Sequence, residues 1–228
     1  MDIHVGTSGY SYKEWREVFY PKELKPKEYL GFYAERFSTV EINNTFYRMP
    51  KKDVVARWRD DVPTGFRFSI KASQRLTHHK RLKDTAEPMG FLAASLAELG
   101  PRLGVVLFQL PPSFRRDDER LDSFLSELPD WPVAFEFRHP SWFTDETFQT
   151  LRSHNATYVI NDDQTGVPFD SAASFGYLRL RNESYSDEEL GRWSARIKDT
   201  QWKRAFVFFK HEEAGAGPTL ARRLLDRV

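Results

Sequence analysis

Residues 133–140 read Val-Ala-Phe-Glu-Phe-Arg-His-Pro and set a carboxylate and a guanidinium two residues apart in an otherwise apolar run. In a strand, successive side chains alternate between two faces, so Val133, Phe135 and Phe137 share one face and Ala134, Glu136 and Arg138 the other. The pattern recurs along the chain. Val40 and Ile42 alternate with Thr39, Glu41 and Asn43, and Phe66, Phe68 and Ile70 alternate with Arg67, Ser69 and Lys71. Gln109 shares a face with Val105 and Leu107. Leu178 and Leu180 alternate with Tyr177, Arg179 and Arg181, and Val207 and Phe209 with Phe206, Phe208 and Lys210. If these runs surround a common centre, Glu41, Lys71, Gln109, Glu136, Arg138, Arg179 and Lys210 form one polar ring. Glu41 and Glu136 are then candidates for a general acid and base, the more so if Lys71 and Arg179 push their pKa values apart. Lys71, Arg138, Arg179, Arg181 and Lys210 suit a phosphate or carboxylate, because Arg presents a planar fork of donors and Lys a compact charge.

Such a ring needs parallel strands that end on one face. β-rich runs occur at residues 3–8, 39–43, 66–71, 104–110, 133–138, 157–161, 177–181 and 205–210. Helical spacing occurs at 27–36, 51–59, 85–99, 118–128, 145–153, 187–198 and 218–226. Strand and helix alternate, with no linker of Gly and Ser and no long repeat. The pattern predicts the α/β class, as a single (β/α)8 TIM-barrel-like domain over residues 1–228. In that fold the apolar member of each pair faces the helices and the polar member the axis, although the parity of the sixth strand is ambiguous. The bland explanation of the ring is an ion-pair network filling the barrel where other barrels stack Val and Leu. Charges gathered at the C-terminal strand ends favour a ligand instead, since barrel enzymes place their chemistry there.

Composition narrows the classes. Lys plus Arg, 34, nearly equals Asp plus Glu, 33, which leaves a net charge of +1 and no global footprint for duplex nucleic acid. The expected partner is a small anionic ligand or a short single-stranded nucleic acid. The chain has no cysteine, so thiolate metal sites and a cysteine nucleophile are unavailable. Without an apolar run of membrane-spanning length or a signal-peptide pattern, a cytoplasmic protein with no membrane partner is expected. Glu41, Glu136, His139, Asp162, Asp163, His211 and Glu212 fall at or near strand ends, but their spacing matches no metal signature, so no metal is assigned. Consecutive His78 and His79 would point apart in an extended segment. No phosphate-binding glycine motif follows any strand, so no nucleotide cofactor is indicated. Tyr10, Tyr12 and Trp15, Phe46 and Tyr47, Trp142 and Phe143, and Tyr185 follow strands and can stack a base or sugar ring, or simply close the barrel top. The loop at residues 74–81 adds positive charge beside the mouth, or is a solvated surface.

Six stretches, at residues 5–12, 40–48, 66–72, 107–112, 135–142 and 177–180, together resemble the DUF72, or YecE-like, family. The resemblance implies a TIM-barrel-like fold and no established activity. It departs after the last strand, where Phe208-Phe209-Lys210-His211-Glu212 stands in place of the family's approximate Tyr-Phe-Asn-Asn-Asp. The functional expectation is an enzyme acting at the mouth on a phosphate-bearing substrate. Glu41 and Glu136 would be the catalytic pair, and Lys71, Gln109, Arg138, His139, Arg179, Lys210, Tyr10 and Tyr185 would bind substrate. Phosphodiester hydrolysis is the first candidate reaction. A sugar-phosphate isomerase or lyase and a non-catalytic binder are the alternatives.

Overall fold

The computed structural model describes residues 1–163, 168–169, 173–210 and 215–228. Eight parallel strands close into one barrel in chain order: β1 (Asp2–Ser8), β2 (Thr39–Ile42), β3 (Arg67–Lys71), β4 (Leu103–Gln109), β5 (Val133–Glu136), β6 (Thr157–Asn161), β7 (Phe175–Leu180) and β8 (Arg204–Phe209). The helices are α1 (Tyr29–Ala34), α2 (Lys52–Asp60), α3 (Ala86–Leu96), α4 (Asp118–Ser126), α5 (Asp145–Ser153), α6 (Asp187–Lys198) and α7 (Ala216–Leu225). Side chains fix several of their starts. The Asp117 carboxylate accepts the Arg120 N–H ahead of α4, and Ser186 and Glu189 form a reciprocal capping box ahead of α6.

The first connection departs from the expected helix over 27–36. Pro26 opens a 3-10 turn at Pro26–Glu28, and α1 ends early enough for Phe37 to fold back into the core. Between β6 and β7 the described residues contain no helix, in keeping with the absence of helical spacing there. Among the described residues no helix is long and apolar enough to cross a membrane.

The barrel wall sorts its side chains as the alternation predicts. Val40, Ile42, Phe68, Ile70, Val106, Phe108, Phe135, Leu178, Val207 and Phe209 join the helices in the outer core, whereas Val105, Leu107, Ala134, Val159, Tyr177, Phe206 and Phe208 form a separate inner cluster. β6 is resolved in the same way, with Tyr158 and Ile160 outward and Val159 inward. The middle of the barrel is therefore apolar, and the charges do not fill it.

A bridge from the first helix braces the strands that carry the site. Tyr33 on α1 sends its hydroxyl between β1 and β2, where it receives the Thr7 N–H at 2.9 Å and donates to the Thr39 carbonyl at 3.0 Å. A Cβ on Gly6 would sit 2.1 Å from that same carbonyl oxygen, so glycine is required for this close approach.

Candidate functional site

Strand register assembles the ring at the C-terminal mouth, pairing Ser8 with Glu41, Gln109 with Glu136 and Asn161 with Arg179. Arg179 joins the two carboxylates: Nη2 donates to Glu41 Oε1 at 2.9 Å and Nη1 to Glu136 Oε2 at 2.6 Å. All three side chains are almost fully buried. Glu41 Oε1 also accepts from Ser8 Oγ at 2.7 Å and Asn43 Nδ2 at 2.9 Å, while Oε2 accepts from the Tyr177 hydroxyl at 2.7 Å. Across the barrel, Ser69 Oγ lies 2.6 Å from that hydroxyl. Glu136 Oε2 accepts from Gln109 Nε2 at 3.0 Å, and Oε1 takes Nη2 of Arg181 at 2.7 Å and Nη2 of Arg138 at 3.1 Å.

This geometry fixes the protonation of the carboxylates. Burial pushes the Glu136 carboxyl up, but Arg179, Arg181 and Arg138 outweigh it and hold the pKa at about 2. Glu41 is lowered in the same sense: burial is opposed by Arg179 and by the hydrogen bonds from Tyr177, Asn43 and Ser8. Burial beside the Glu41 anion pushes the Tyr177 phenol well above its usual range, so it stays a donor. Two ionised carboxylates thus stand at the floor of the mouth, and each of their oxygens accepts at least one hydrogen bond.

Lys71, at the end of β3, is placed differently. Its ammonium lies 4.1 Å from the centroid of the Phe46 ring and has no ion pair among the described residues. Burial and then the Arg179 charge lower its pKa to about 8. His78 packs its edge on the same Phe46 ring, at 4.9 Å and 82°. A π-helical turn over Arg75–His79 carries it there, and burial, Lys71, His79 and Arg138 lower its pKa. Just beyond, Arg81, Leu82 and Asp84 adopt positive φ, a sparsely populated conformation for such residues.

Hydrogen bonds thus bring together Glu41, Gln109, Glu136, Arg138 and Arg179, and shared charge adds Lys71. The other expected site residues stand elsewhere. His139 Nδ1 accepts the Ser141 N–H at 3.1 Å and caps the turn at Pro140–Trp142. Tyr185 donates to Asp162 and packs against Phe209 on the helix side of β8, 5.7 Å between ring centroids. Asp162 in turn accepts the Arg181 and Asn182 N–H groups at 2.7 and 2.9 Å, which steadies the segment that presents Arg181. Lys210 is exposed and uses its backbone N–H to reach Leu180. Tyr10 lines a cavity of about 190 Å³ with Tyr12, Asn43, Asn44 and Trp58, beside the mouth. His211 and Glu212 lie outside the described residues. Among the described residues no three His, Asp or Glu side chains converge as a metal site would require. Sequence reasoning gave no role to Ser8, Tyr177 or His78. Parity had already turned Tyr177 inward, whereas no sequence signal foretold the π turn that swings His78 round.

A family model described as "Protein of unknown function DUF72" matches residues 4–228. The chain belongs to the DUF72 family. UPF0759 protein YecE of Escherichia coli (strain K12) is 32% identical over 152 residues, covering 65% of this chain and 53% of that protein, so the match spans about half the length of that curated relative. UPF0759 protein YunF of Bacillus subtilis (strain 168) is 24% identical over 98% of this chain and 94% of its own. Among solved structures, a DUF72 family protein from Thermotoga maritima MSB8 superposes with a TM-score of 0.86 at 29% identity, covering 99% of this chain and 98% of that one. A DUF72 family protein from Enterococcus faecalis V583, at 19% identity and a TM-score of 0.81, shares the fold over 99% of this chain and 96% of its own. Each member of the polar ring except Lys210 falls within one of the stretches that resemble the DUF72 pattern.

Proposed function

We propose that the mouth of this DUF72 protein binds a phosphate-bearing anion and that the protein is an enzyme acting on it. One observation carries this reading. Among the described residues Lys71, Arg138, Arg179 and Arg181 surround two carboxylates, Glu41 and Glu136, so the network holds an excess of positive charge at the C-terminal mouth of the barrel. Glu136 is shared by three guanidiniums, and of these the Arg138 side chain is 42% exposed, with donors left for a ligand. A tetrahedral dianion complements that excess, and guanidinium forks match its oxygens.

The ionised carboxylates bear on the reaction class. Phosphodiester hydrolysis by a Glu41–Glu136 pair needs one carboxyl protonated near neutral pH, and both are held ionised. Proton transfer in a phosphorylated small molecule, as in an isomerase or lyase, asks nothing of them beyond fixed charge, and the structure favours it on that ground. Titration calorimetry with inorganic phosphate and a panel of phosphomonoesters tests the reading, followed by assays for isomerised or cleaved products. Arg138→Ala is expected to weaken phosphate binding about tenfold, the loss of roughly one charge-assisted contact. Phosphate affinity that is absent, or unchanged in Arg138→Ala, refutes it.

A further inference from the structure

Every carboxylate oxygen of the mouth already accepts a hydrogen bond, and among the described residues none of these comes from Lys71. Ser8, Asn43, Arg179 and Tyr177 occupy Glu41, while Gln109, Arg138, Arg179 and Arg181 occupy Glu136. The Lys71 amine is instead half-buried over the face of Phe46. Arg179 on β7, Arg138 after β5 and His78 on the π turn face it as cations or potential cations, and Glu136 on β5 and Glu41 on β2 compensate only in part. A ring face attracts an ammonium by roughly 0.5–2 kcal/mol but accepts no proton, so the amine is anchored without being committed to a partner.

We propose that Lys71 is the proton-transferring amine of this mouth, exchanging a proton with a substrate whose anionic group is held by Arg138 and Arg181, while Glu41 and Glu136 serve as permanent anions that position Arg179. The proposal rests on the anion-binding reading above. In the forward step the ammonium, the form that anion binding favours, passes its proton to a basic oxygen or carbanion of the substrate; the N–H pair returns to nitrogen as the substrate's electron pair forms the new O–H or C–H bond. The reverse step returns the proton, so no co-reactant is consumed. The same surroundings that deny Lys71 a carboxylate bring its pKa to about 8, where both forms are populated near neutrality. His78, lowered by burial and by Lys71, is neutral in that range and adds no competing fixed charge.

Two measurements test this without an assay of turnover. Competitive acylation of the intact protein with acetic anhydride, read by mass spectrometry across pH, gives the midpoint of Lys71 against surface lysines. Calorimetry with inorganic sulfate, a tetrahedral dianion that does not titrate near neutrality, in two buffers of different ionisation enthalpy gives the protons taken up on binding. The expected midpoint for Lys71 is about 8, against ~10.4 for an exposed lysine. Sulfate should slow its acylation, and near that pH binding should take up a fraction of a proton, at most ~0.5. Lys71→Met and Lys71→Arg should both abolish the uptake, and only the arginine should keep sulfate affinity near that of the parent. An ordinary midpoint with sulfate still bound, or uptake that persists in Lys71→Met, overturns the proposal and leaves the anion reading intact. A midpoint near 8 with no sulfate binding supports the amine's titration and overturns the anion reading instead.

Discussion

Removing Arg179 isolates the physical role of the buried network. Arg179→Met keeps most of the side-chain volume but strips Glu41 of its cation, leaving Ser8, Asn43 and Tyr177 as donors, while Glu136 retains Arg138, Arg181 and Gln109. Breaking a buried pair in this way costs about 3–5 kcal/mol, because an uncompensated charge stays in a low-dielectric interior. The pH dependence identifies the cause. In the parent, both carboxyls have depressed pKa values, so their contribution is complete above the unfolded value and declines only as pH falls below it. For Glu136 that window runs from 4.5 down to about 2 and is worth about 3 kcal/mol. In the variant, burial acts on Glu41 without its cation and raises its carboxyl above the unfolded value. Its folded form then gains stability on acidification, so the deficit against the parent should shrink between ~pH 8 and ~pH 5. Urea unfolding followed by tryptophan fluorescence at both pH values measures this. A loss below ~1 kcal/mol, or one of equal size at the two pH values, refutes the reasoning.

Three further outcomes follow from the same geometry. Tyr177→Phe leaves Glu41 Oε2 without a donor and should cost about 1–3 kcal/mol, whereas Ser69→Ala, which removes only the far partner of the phenol, should cost about 1 kcal/mol or less; equal losses in denaturant midpoint would contradict that ordering. Gly6→Ala drives a methyl group to 2.1 Å from the Thr39 carbonyl and should prevent the Tyr33 bridge from forming, seen as loss of the cooperative thermal transition; a native-like transition would disprove the requirement for glycine. The parent should keep its stability from neutral pH down to the unfolded carboxylate range and lose it progressively below 4.5, as Glu136 and Glu41 take up protons; acid titration followed by circular dichroism would show otherwise if unfolding began well above that point.

How much of this was legible beforehand depends on the range of the force involved. Alternation within a strand is a local steric fact, so Glu41, Ser69, Glu136, Tyr177 and Arg179 could be turned inward from their neighbours alone. The eight-strand closure followed from alternation of periods, and β6 escaped only because Thr157-Tyr158-Val159-Ile160-Asn161 has no polar and apolar contrast to read. What a carboxylate does once inside depends on partners far away in the chain, and that was not visible. Glu41 and Glu136 look like an acid and base from their types. Their neutralisation as reactive groups comes from Arg179, 138 residues beyond Glu41 in sequence. His139 and Tyr185 sit at positions that suggest a site, yet each is engaged by a turn or an aspartate next to it. His78 needed a turn with an extra residue per winding, which no propensity scale anticipates.

Leu107, Val159 and Phe206 belong to the apolar cluster inside the barrel, and the charged ring stands on the C-terminal side of it. With that apolar packing below it, any ligand, any product and any proton exchanged with bulk water would reach the ring from the strand-end side. A cationic ring of that kind would hold an anionic product as firmly as its precursor, so release, rather than bond-making, would set the pace of any turnover.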